Sequence, residues 1–349
     1  MVNNLSETTA QAQVNKKKSK YRVVIFGLVG LSVLFCVFSI SFGRAGIVNP
    51  IVVVSNALSG TDESAQMLRI FKNIRIPRAL ASFLVGACLS ISGLVYQTTF
   101  NNKLVSPDIL GVNSGCCVGA GVAILLGLPS GAIRMMAFAI GFFSVIIAII
   151  LPKLFRSQSA LTLVLSGIIV GSFMGSVLAL IKYIADKNDK LADIIFWIMG
   201  SLVGVQLEDV WESVIISAIP FIVLAFMGWR INVISLGSEE AESLGVNFKR
   251  DRLIIIACAT LLTANCVSLA GNVGWVGLVI PHISRALAGD DARTALPVSA
   301  LSGGLFLMIV DTLSRVLSVN EIPLSIITGF VGAAIYTVVL ARKGRYIHE

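Results

Sequence analysis

Residues able to do acid–base or metal chemistry are rare in this chain and stand far apart. Its two histidines are His282 and His348. No H-E-x-x-H motif occurs, and a lone imidazole in an apolar stretch lacks the further ligands that a zinc site requires. A neutral, hydrogen-bonded structural histidine is therefore the favoured interpretation of His282. The clearest ionisable pair inside an apolar run is Asp311 with Arg315, spaced four residues apart, where helical side chains support each other.

The sequence also contains no motif typical of thiol chemistry or of phosphate binding. All six cysteines lie within apolar runs, and the adjacent Cys116 and Cys117 lack the two-residue spacer of metal-binding and redox motifs. We interpret them as small packing residues. The phosphate-binding pattern G-x-x-x-x-G-K-[ST] is absent from the sequence, so ATP binding of that kind is not expected. The chain is expected to hold no catalytic residue, metal or cofactor, and not to be an enzyme.

Composition indicates a membrane protein. Apolar residues make up 56% of the chain and charged residues 13%, with a mean hydropathy of +0.89, whereas a soluble domain carries about 25% charged residues. A transmembrane helix needs roughly 20 apolar residues, so the sequence predicts an all-α polytopic protein with about ten transmembrane helices. The apolar runs cover residues 23–43, 79–99, 108–127, 131–151, 160–184, 211–229, 253–271, 275–288, 297–317 and 323–341. The run at 275–288 is too short to cross alone, and a further run at 191–202 is expected to form a half-helix at one surface.

The distribution of basic residues predicts the orientation. A basic tail, residues 1–22, precedes the first run, which is longer than the apolar part of a typical secretory signal. With this tail in the cytoplasm, ten spans return residues 342–349 to the cytoplasm and leave most Lys and Arg residues there, as the positive-inside rule requires. Residues 23–341 then form a single domain, and the net charge of +8 needs no nucleic acid to explain it. Five basic residues crowd one external loop: Arg44, Arg69, Lys72, Arg75 and Arg78.

The longest polar stretch between late spans contains a short predicted helix. Within residues 234–247 we expect Gly237 to break the chain, Ser238 to act as the N-cap, and Glu239 and Glu240 to occupy the first turn, where they suit the helix dipole. Gly245 is expected to end the helix. Two helical turns are unstable alone, so this helix must dock, either on the membrane surface as an ordinary connector or in a cleft of a partner, with Ala241 and Leu244 on the docking face.

The stretch "GNVGWVGLVIPHISR", residues 271–285, predicts an interrupted helix. Its glycines, Gly271, Gly274 and Gly277, permit a reversal and close helix packing. Pro281 removes a backbone donor and bends the helix, while His282 follows near the cytoplasmic end. Broken helices are tolerated in membranes where protein or a cavity covers the freed backbone. We therefore predict a mechanical role for this stretch.

Several motifs, taken together and in order, resemble one family. "RIPRALASFLVGACLSISGLVYQTTFNN" (75–102) is similar to an R-[LI]-P-R entry into the second span, and "SPDILGVNSG" (106–115) to a P-x-x-L-G-V-x-x-G start of the third. "LGSEEAESLGV" (236–246), the interrupted helix, "LPVSALSGGLFLMIVDTLSR" and "EIPLSIITGFVG" complete the likeness. The chain resembles the permeases of ATP-binding-cassette (ABC) importers for iron-siderophores, haem and cobalamin. That resemblance implies a type II importer architecture in the bacterial cytoplasmic (inner) membrane.

The resemblance also implies partners and roles. Separate ATPase subunits bind ATP, and a second permease chain, identical or paralogous, lines the transport path together with this one. An external substrate-binding protein delivers the cargo, and membrane lipid surrounds the permease chains. The binding-protein contacts carried over are Arg75, Arg78 and Arg315. The ATPase contacts carried over are Leu236, Gly237, Ser238, Glu239, Glu240, Ala241, Leu244 and Gly245.

The chain also departs from the family pattern. The resemblance implies that Asn102 and Leu104 are gate or path residues. Between them this chain has Lys103, where the family usually has proline in an Asn-Pro-Leu sequence. Ser238 replaces a usual acid, and Trp275 a usual Phe. An iron-siderophore is the expected cargo, with haem or cobalamin as alternatives. An ion-coupled secondary transporter and a membrane-embedded enzyme are the rivals from other classes.

Overall fold

The computed structural model describes residues 2–43, 46–47, 62–154, 160–186, 189–318 and 320–345. Within these ranges the chain is helical apart from one antiparallel pair, β1 (Phe42–Gly43) with β2 (Gly46–Ile47), so the predicted all-α class is confirmed. Arg44 and His348 lie outside the described residues. The helices are α1 Val2–Ser41, α2 Asp62–Ile70, α3 Ile76–Thr99, α4 Val112–Leu125, α5 Ser130–Leu154, α6 Ala160–Ile184, α7 Lys190–Ile198, α8 Leu207–Phe226, α9 Gly228–Ile234, α10 Ser238–Ser243, α11 Phe248–Ala270, α12 Val276–Ala288, α13 Ala292–Val316 and α14 Leu324–Arg345.

Ten of these helices coincide with the ten predicted apolar runs. Seven segments are long and apolar enough to cross a membrane: Ser19–Ser41, Gln66–Thr99, Ser130–Leu154, Leu161–Ile184, Leu207–Phe226, Phe248–Ala270 and Ala292–Val316. Three apolar helices are shorter: Val112–Leu125, Val276–Ala288 and Leu324–Val339. The number of crossings stays a prediction. The run at 191–202 forms the nine-residue helix α7, in keeping with the expected half-helix.

Helix boundaries differ from the apolar runs where polar residues cap or continue a helix. Helix α8 begins at Leu207, four residues before the predicted run, because Gln206 and Asp209 form a capping box in which the Gln206 N–H donates to Asp209 Oδ2 at 3.0 Å. Helix α3 continues backwards through a π-helical turn, Phe71–Arg75, into α2. The basic motif that was expected in a loop therefore lies on a continuous helix.

The core is built around α3, which packs against α11, α12 and α13. Glycine allows the close approach of α3 to α13, since a Cβ on Gly86 would lie 2.8 Å from the carbonyl carbon of Gly303. Buried hydroxyls are satisfied between helices: Ser90 Oγ is 2.6 Å from Ser299 Oγ, and the Tyr96 hydroxyl is 2.6 Å from Oγ1 of Thr260. Small residues thus set the spacing while paired hydroxyls avoid the cost of unsatisfied polar groups.

The helices run between two ends of the bundle. Residues 100–106, 228–247 and 289–291 form one end, where Lys103 Nζ lies 3.3 Å from Asp290 and Asn232 donates to Asp291 at 2.7 Å. We call it the Lys103 end. Residues 39–43, 71–78 and 311–318 form the other, the Arg78 end, where Arg78 contacts Asp311.

Candidate functional site

The predicted short helix is present at the Lys103 end as α10, Ser238–Ser243. Its N-cap is Gly237, with φ 116° and ψ 176°, and the Ser238 hydroxyl makes no capping hydrogen bond. The prediction of Ser238 as the N-cap is therefore wrong by one residue. Glycine reaches this positive φ without the steric cost of a Cβ, so the chain turns one residue earlier and Ser238 becomes the first helical residue.

The C-terminal end of α10 follows the sequence prediction. The helix ends at Ser243, Gly245 has φ 77°, and the Gly245 N–H donates to the carbonyl of Glu242 at 3.0 Å. The Val246 N–H donates to the carbonyl of Ala241 at 2.9 Å. Together these two bonds form a Schellman motif, which anchors the end of α10 because Val246 is buried.

The exposed face of α10 is acidic with an apolar border. Ala241, expected to face a partner, is fully buried against its own chain, whereas Leu236 and Leu244 are 58% and 51% exposed. Glu239, Glu240 and Glu242 are all exposed. Exposed leucines beside carboxylates suit a partner that offers an apolar pocket with a basic rim.

Two polar links join this end to the long helices. Asn232 donates to Asp291 Oδ1 at 2.7 Å, and Asp291 caps α13 by accepting from the Arg293 N–H at 3.0 Å. The hydrogen bond from the Arg293 side chain is the main cause that lowers the pKa of Asp291 to about 2. Because this pKa lies below its unfolded value of about 3.9, the stabilisation is complete above that value and is lost only as the pH falls through about 2. The link therefore stays charged at neutral pH. The second link joins Arg230 to Asp251 at 3.0 Å.

The interrupted helix uses its three glycines differently. Gly271 has φ 70°, a value that favours glycine. A Cβ on Gly277 would lie 2.6 Å from Cδ of Pro107 and 2.9 Å from the Leu89 carbonyl oxygen, whereas a Cβ on Gly274 would meet nothing within 4 Å. Trp275, not Gly274, takes the second positive φ, 69°. The prediction that each of the three glycines permits the reversal or the packing is thus wrong for Gly274.

Gln97 covers the backbone that Pro281 leaves without a donor. Its Nε2 lies 3.5 Å from the carbonyl of Gly277, four residues before the proline, and 3.1 Å from the carbonyl of Leu278. Its Oε1 accepts from Arg285. Gln97 is 2% exposed, and a proline-interrupted helix inside a bundle needs such a partner. Sequence reasoning quoted Gln97 within a motif without giving it this role, although a glutamine inside an apolar run was a usable signal.

His282 ties the same helix to the loop at the Lys103 end. Its Nε2 lies 3.0 Å from the Lys103 carbonyl oxygen, and its ring meets the Tyr336 ring edge-on at 5.6 Å. In the described part of the chain, no three His, Cys, Asp or Glu side chains lie close enough together to hold a metal ion.

In the loop that contains Lys103, the Leu104 N–H donates to Asn102 Oδ1 at 2.9 Å, and the Leu104 side chain is 66% exposed.

The three arginines predicted to dock a binding protein meet acids and carbonyls of their own chain. Arg78 donates through Nε to Asp311 at 2.8 Å and through Nη1 to Glu321 at 2.9 Å. Arg315 Nε lies 3.2 Å from the second oxygen of Asp311, and its Nη2 donates to Ser39 at 2.8 Å. The predicted pair of Asp311 with Arg315 is thus confirmed, within a larger cluster that sequence spacing alone did not reveal.

Arg75 caps the first span. Its Nη1 donates to the carbonyls of Ile40 and Ser41 at 3.0 and 2.8 Å, at the C-terminal end of α1, where a cation suits the helix dipole. Arg75, Arg78 and Arg315 are 5%, 4% and 7% exposed. Burial on this scale argues against direct pairing with an external partner, so docking through these three residues stays a prediction that the geometry does not favour.

Comparison with known proteins identifies the family of the chain. The model of the FecCD transport family matches residues 31–342, nearly the whole chain. The chain belongs to the FecCD transport family. It is 34% identical to the molybdate import system permease protein MolB of Haemophilus influenzae over 93% of this chain and 97% of that protein. It is 33% identical to the Fe(3+)-citrate import system permease protein YfmE of Bacillus subtilis, over 95% and 99%.

A solved structure also matches most of the chain. It is an inward-facing metal-chelate type ABC transporter, 33% identical, with a TM-score of 0.83 over 91% of this chain and 99% of that one. Other relatives are named for iron chelatin, cobalamin and hemin transport. This FecCD protein is therefore an integral membrane protein with a type II ABC importer permease fold. A permease of this kind is a transport component that works with ATPase and substrate-binding partners.

Proposed function

We propose that this FecCD permease carries an iron-siderophore complex across the bacterial cytoplasmic or inner membrane. ATP hydrolysis in a separate ATPase subunit drives the transport. A second permease chain, identical or paralogous, completes the path, and residues 1–22 and 342–349 face the cytoplasm. Residues 23–341 act as a single transmembrane domain. The excess of Lys and Arg expected on the tail side supports this orientation.

The observation that carries the proposal is the geometry of α10. A six-residue helix at one end of the bundle exposes Leu236 and Leu244 beside three glutamates, while Ala241 and Val246 hold it to the bundle. A partner that contacts the exposed side chains of α10 therefore contacts a helix that is anchored to the bundle through Ala241 and Val246. We assign ATPase contact to Leu236, Leu244 and the exposed carboxylates of Glu239 and Glu240.

The remaining residues of the segment shape it without touching the partner. Gly237 and Gly245 provide the two positive-φ turns, and Ser238 is the first residue of the helix.

Asn102 and Leu104 are proposed gate residues, because they lie in a loop that two contacts hold in place. His282 of α12 contacts the Lys103 carbonyl, and the Lys103 side chain pairs with Asp290. Gly271, Gly277, Pro281 and His282 give the interrupted helix its shape.

The choice of an iron-siderophore is supported by relatives named for iron chelatin and Fe(3+)-citrate and by the metal-chelate type structure. Molybdate is a second candidate, favoured by the 34% identity to a molybdate permease over 93% of this chain. Cobalamin and haem are further alternatives, each named for a relative.

The test is uptake by vesicles that hold this chain with its partner chains. Radiolabelled iron-siderophore is offered with ATP, against unlabelled molybdate, cobalamin or haem as competitors. We expect ATP-dependent accumulation of iron that the competitors do not reduce. In a parallel assay with labelled molybdate, accumulation of molybdate but not of iron would assign the second candidate. Uptake by vesicles without the ATPase would overturn the proposal in favour of a secondary transporter.

For the external partner, we propose docking through the basic side chains that a partner can reach. Arg69 and Lys72 are exposed at the Arg78 end, next to the buried Arg75. Fixed positive charge there steers an acidic partner and raises its association rate. The three buried arginines then hold α1, α3 and α13 together, so that Arg69 and Lys72 stay exposed to the partner.

Charge reversal tests this docking surface. The double variant Arg69→Glu with Lys72→Glu is expected to slow association of the substrate-binding protein about tenfold at low salt. The difference should shrink in roughly 1 M salt, where the Debye length is about 3 Å. Lys20→Glu with Arg22→Glu, at the opposite end, is the matched control. Equal association rates for both double variants would remove the assignment.

A further inference from the structure

A groove between α5 and α11 opens beside α10 at the Lys103 end. Its outer part is a cavity of about 510 Å³, and α10 contributes Ser238 and Glu242 to the lining. Four basic side chains surround the opening, against the single acid Glu242. They are Lys153, Lys249, Arg250 and Arg252. Arg250 also pairs with Asp251 at 3.1 Å, and the mouth keeps a net positive charge from Lys153, Lys249 and Arg252.

The wall of the groove becomes apolar with depth. Ile149, Leu163, Phe248 and Ile256 line the outer cavity behind the basic residues. A second cavity of about 270 Å³ shares Ile149 and Leu253 with the first and continues along both helices to Phe142 and Thr260. The Thr260 hydroxyl is already bonded to Tyr96, so the inner part offers no free polar group along its described lining.

The groove is open to its surroundings along one side. Ile150 and Leu253 are 52% and 46% exposed, at positions that face hydrocarbon if α5 and α11 span the membrane. From Phe142 to Ile149 the groove follows seven residues of helix, about 10 Å at 1.5 Å per residue. A basic mouth that leads into an apolar shaft of this length matches a negatively charged headgroup joined to an acyl chain.

We propose that this groove binds an anionic phospholipid of the surrounding leaflet. The phosphate lies among Lys153, Lys249 and Arg250, and one acyl chain follows Ile149 and Leu253 inwards. Basic pockets between transmembrane helices are a recurrent way to bind such headgroups. Arg252 forms the floor of the mouth, with its guanidinium 5.5 and 5.6 Å from the ring centres of Phe100 and Phe248. A zwitterionic lipid fills the same shaft without the net charge that the mouth attracts.

The binding test uses the full chain in vesicles that mix phosphatidylcholine with phosphatidylglycerol. Native mass spectrometry then measures which lipid the released chain retains. The wild type is expected to retain phosphatidylglycerol in preference. Lys153→Gln with Lys249→Gln is expected to lower that preference by about fivefold for each charge, since each basic residue near a headgroup contributes about 1 kcal/mol.

Two further variants separate a site from general surface charge. Lys20→Gln with Arg22→Gln removes the same charge from exposed positions at the same end and should leave the retained phosphatidylglycerol unchanged. Ala257→Trp fills the inner cavity without altering charge and should lower retention of both lipids. Equal losses in the two charge variants, or wild-type retention in the Lys153 and Lys249 variant, would overturn the proposal. Glycerol phosphate is expected not to displace the lipid; displacement would assign the mouth to free phosphates and overturn the lipid site.

A lipid in the groove is expected to affect the coupling of this chain to its ATPase, and this expectation rests on the proposed function. Because Ser238 borders the mouth, its hydroxyl can donate to the phosphate, and this contact fixes the position of α10. ATP hydrolysis by the assembled importer is expected to fall about threefold in vesicles of phosphatidylcholine alone. Unchanged hydrolysis together with selective lipid retention would remove only the coupling role. Lost retention would remove the site whether or not the chain transports iron.

Discussion

Arg78 holds two carboxylates from separate stretches of chain, and it does so while almost fully buried. Asp311 is 0% exposed and lies between Arg78 and Arg315, while Glu321 pairs with two nitrogens of Arg78. Two positive and two negative charges therefore neutralise each other, with Asp311 fully buried and Glu321 at the partly exposed edge. Removing one partner of such a buried pair leaves an uncompensated charge, which costs about 3–5 kcal/mol.

The first prediction concerns the acid at the centre of this cluster. Asp311→Asn is expected to lower the free energy of unfolding by about 3–5 kcal/mol, because two buried guanidinium groups lose their shared counter-charge. Glu321→Gln is the matched control with a smaller expected loss, because the Glu321 side chain is 21% exposed. Unfolding in detergent, followed by circular dichroism, measures both. Equal stability of Asp311→Asn and the wild type would contradict a structural role for the cluster.

At this scale the sequence predicted local pairs and missed distant ones. Asp311 and Arg315 were predictable because four residues bring helical side chains together. Glu321 was not, since it lies 243 positions from Arg78 and only the packing of α3 against α13 brings them together. For the same reason the sequence predicted that Arg75 and Arg78 were available for docking, although contacts with the end of α1 and with Asp311 and Glu321 bury them.

At the scale of elements, the interrupted helix α12 is closely packed both along its length and at Trp275, where the chain turns. Gly277 lies against Pro107 and the Leu89 carbonyl, Gln97 bonds the carbonyls beside the proline, and Trp275 packs towards Gly332 of α14. The contacts come from α3, from the turn that holds Pro107, and from α14. The interruption therefore serves as a joint at which four parts of the chain meet.

The second prediction separates the glycines of this joint. Gly277→Ala is expected to lower the free energy of unfolding by about 1–3 kcal/mol, because the new methyl group overpacks a site lined by a proline ring and backbone. Gly274→Ala, the matched control, should stay within about 0.5 kcal/mol of the wild type. Thermal unfolding in detergent compares them. The reverse order of stabilities would contradict the close packing of α12 on α3.

The sequence predicted where the helices lie, but it predicted the residues at which they begin and end less accurately. Ten apolar runs coincide with ten helices because length and hydrophobicity decide where helices can be buried. The start of α8 and the cap of α10 were misplaced, since the former depends on a capping box of polar residues and the latter on whether Gly237 or Ser238 takes the non-helical conformation. Gln97 was missed as a partner for the proline-interrupted helix because its target lies 180 positions away.

At the scale of the whole molecule, force applied to α10 has a short route into the bundle. Ala241 and Val246 anchor the helix, and Asn232 and Asp291 join the preceding segment to the start of α13. Helix α13 carries Asp311 and Arg315 at its other end. Under the proposed function, a partner that moves α10 is expected to move α13, which reaches the Arg78 end. We propose this as the basis of coupling between ATP hydrolysis and transport.

The most direct test is ATP-driven uptake by reconstituted vesicles carrying Leu236→Ser with Leu244→Ser. Both leucines are more than half exposed, so fold stability should change by no more than about 0.5 kcal/mol. Loss of two apolar contacts at the centre of an interface is expected to reduce uptake about tenfold or more. Leu126→Ser with Leu317→Ser, exposed at the Arg78 end, should transport normally. Wild-type uptake by the α10 variant would contradict the claim that this helix couples the permease to its ATPase.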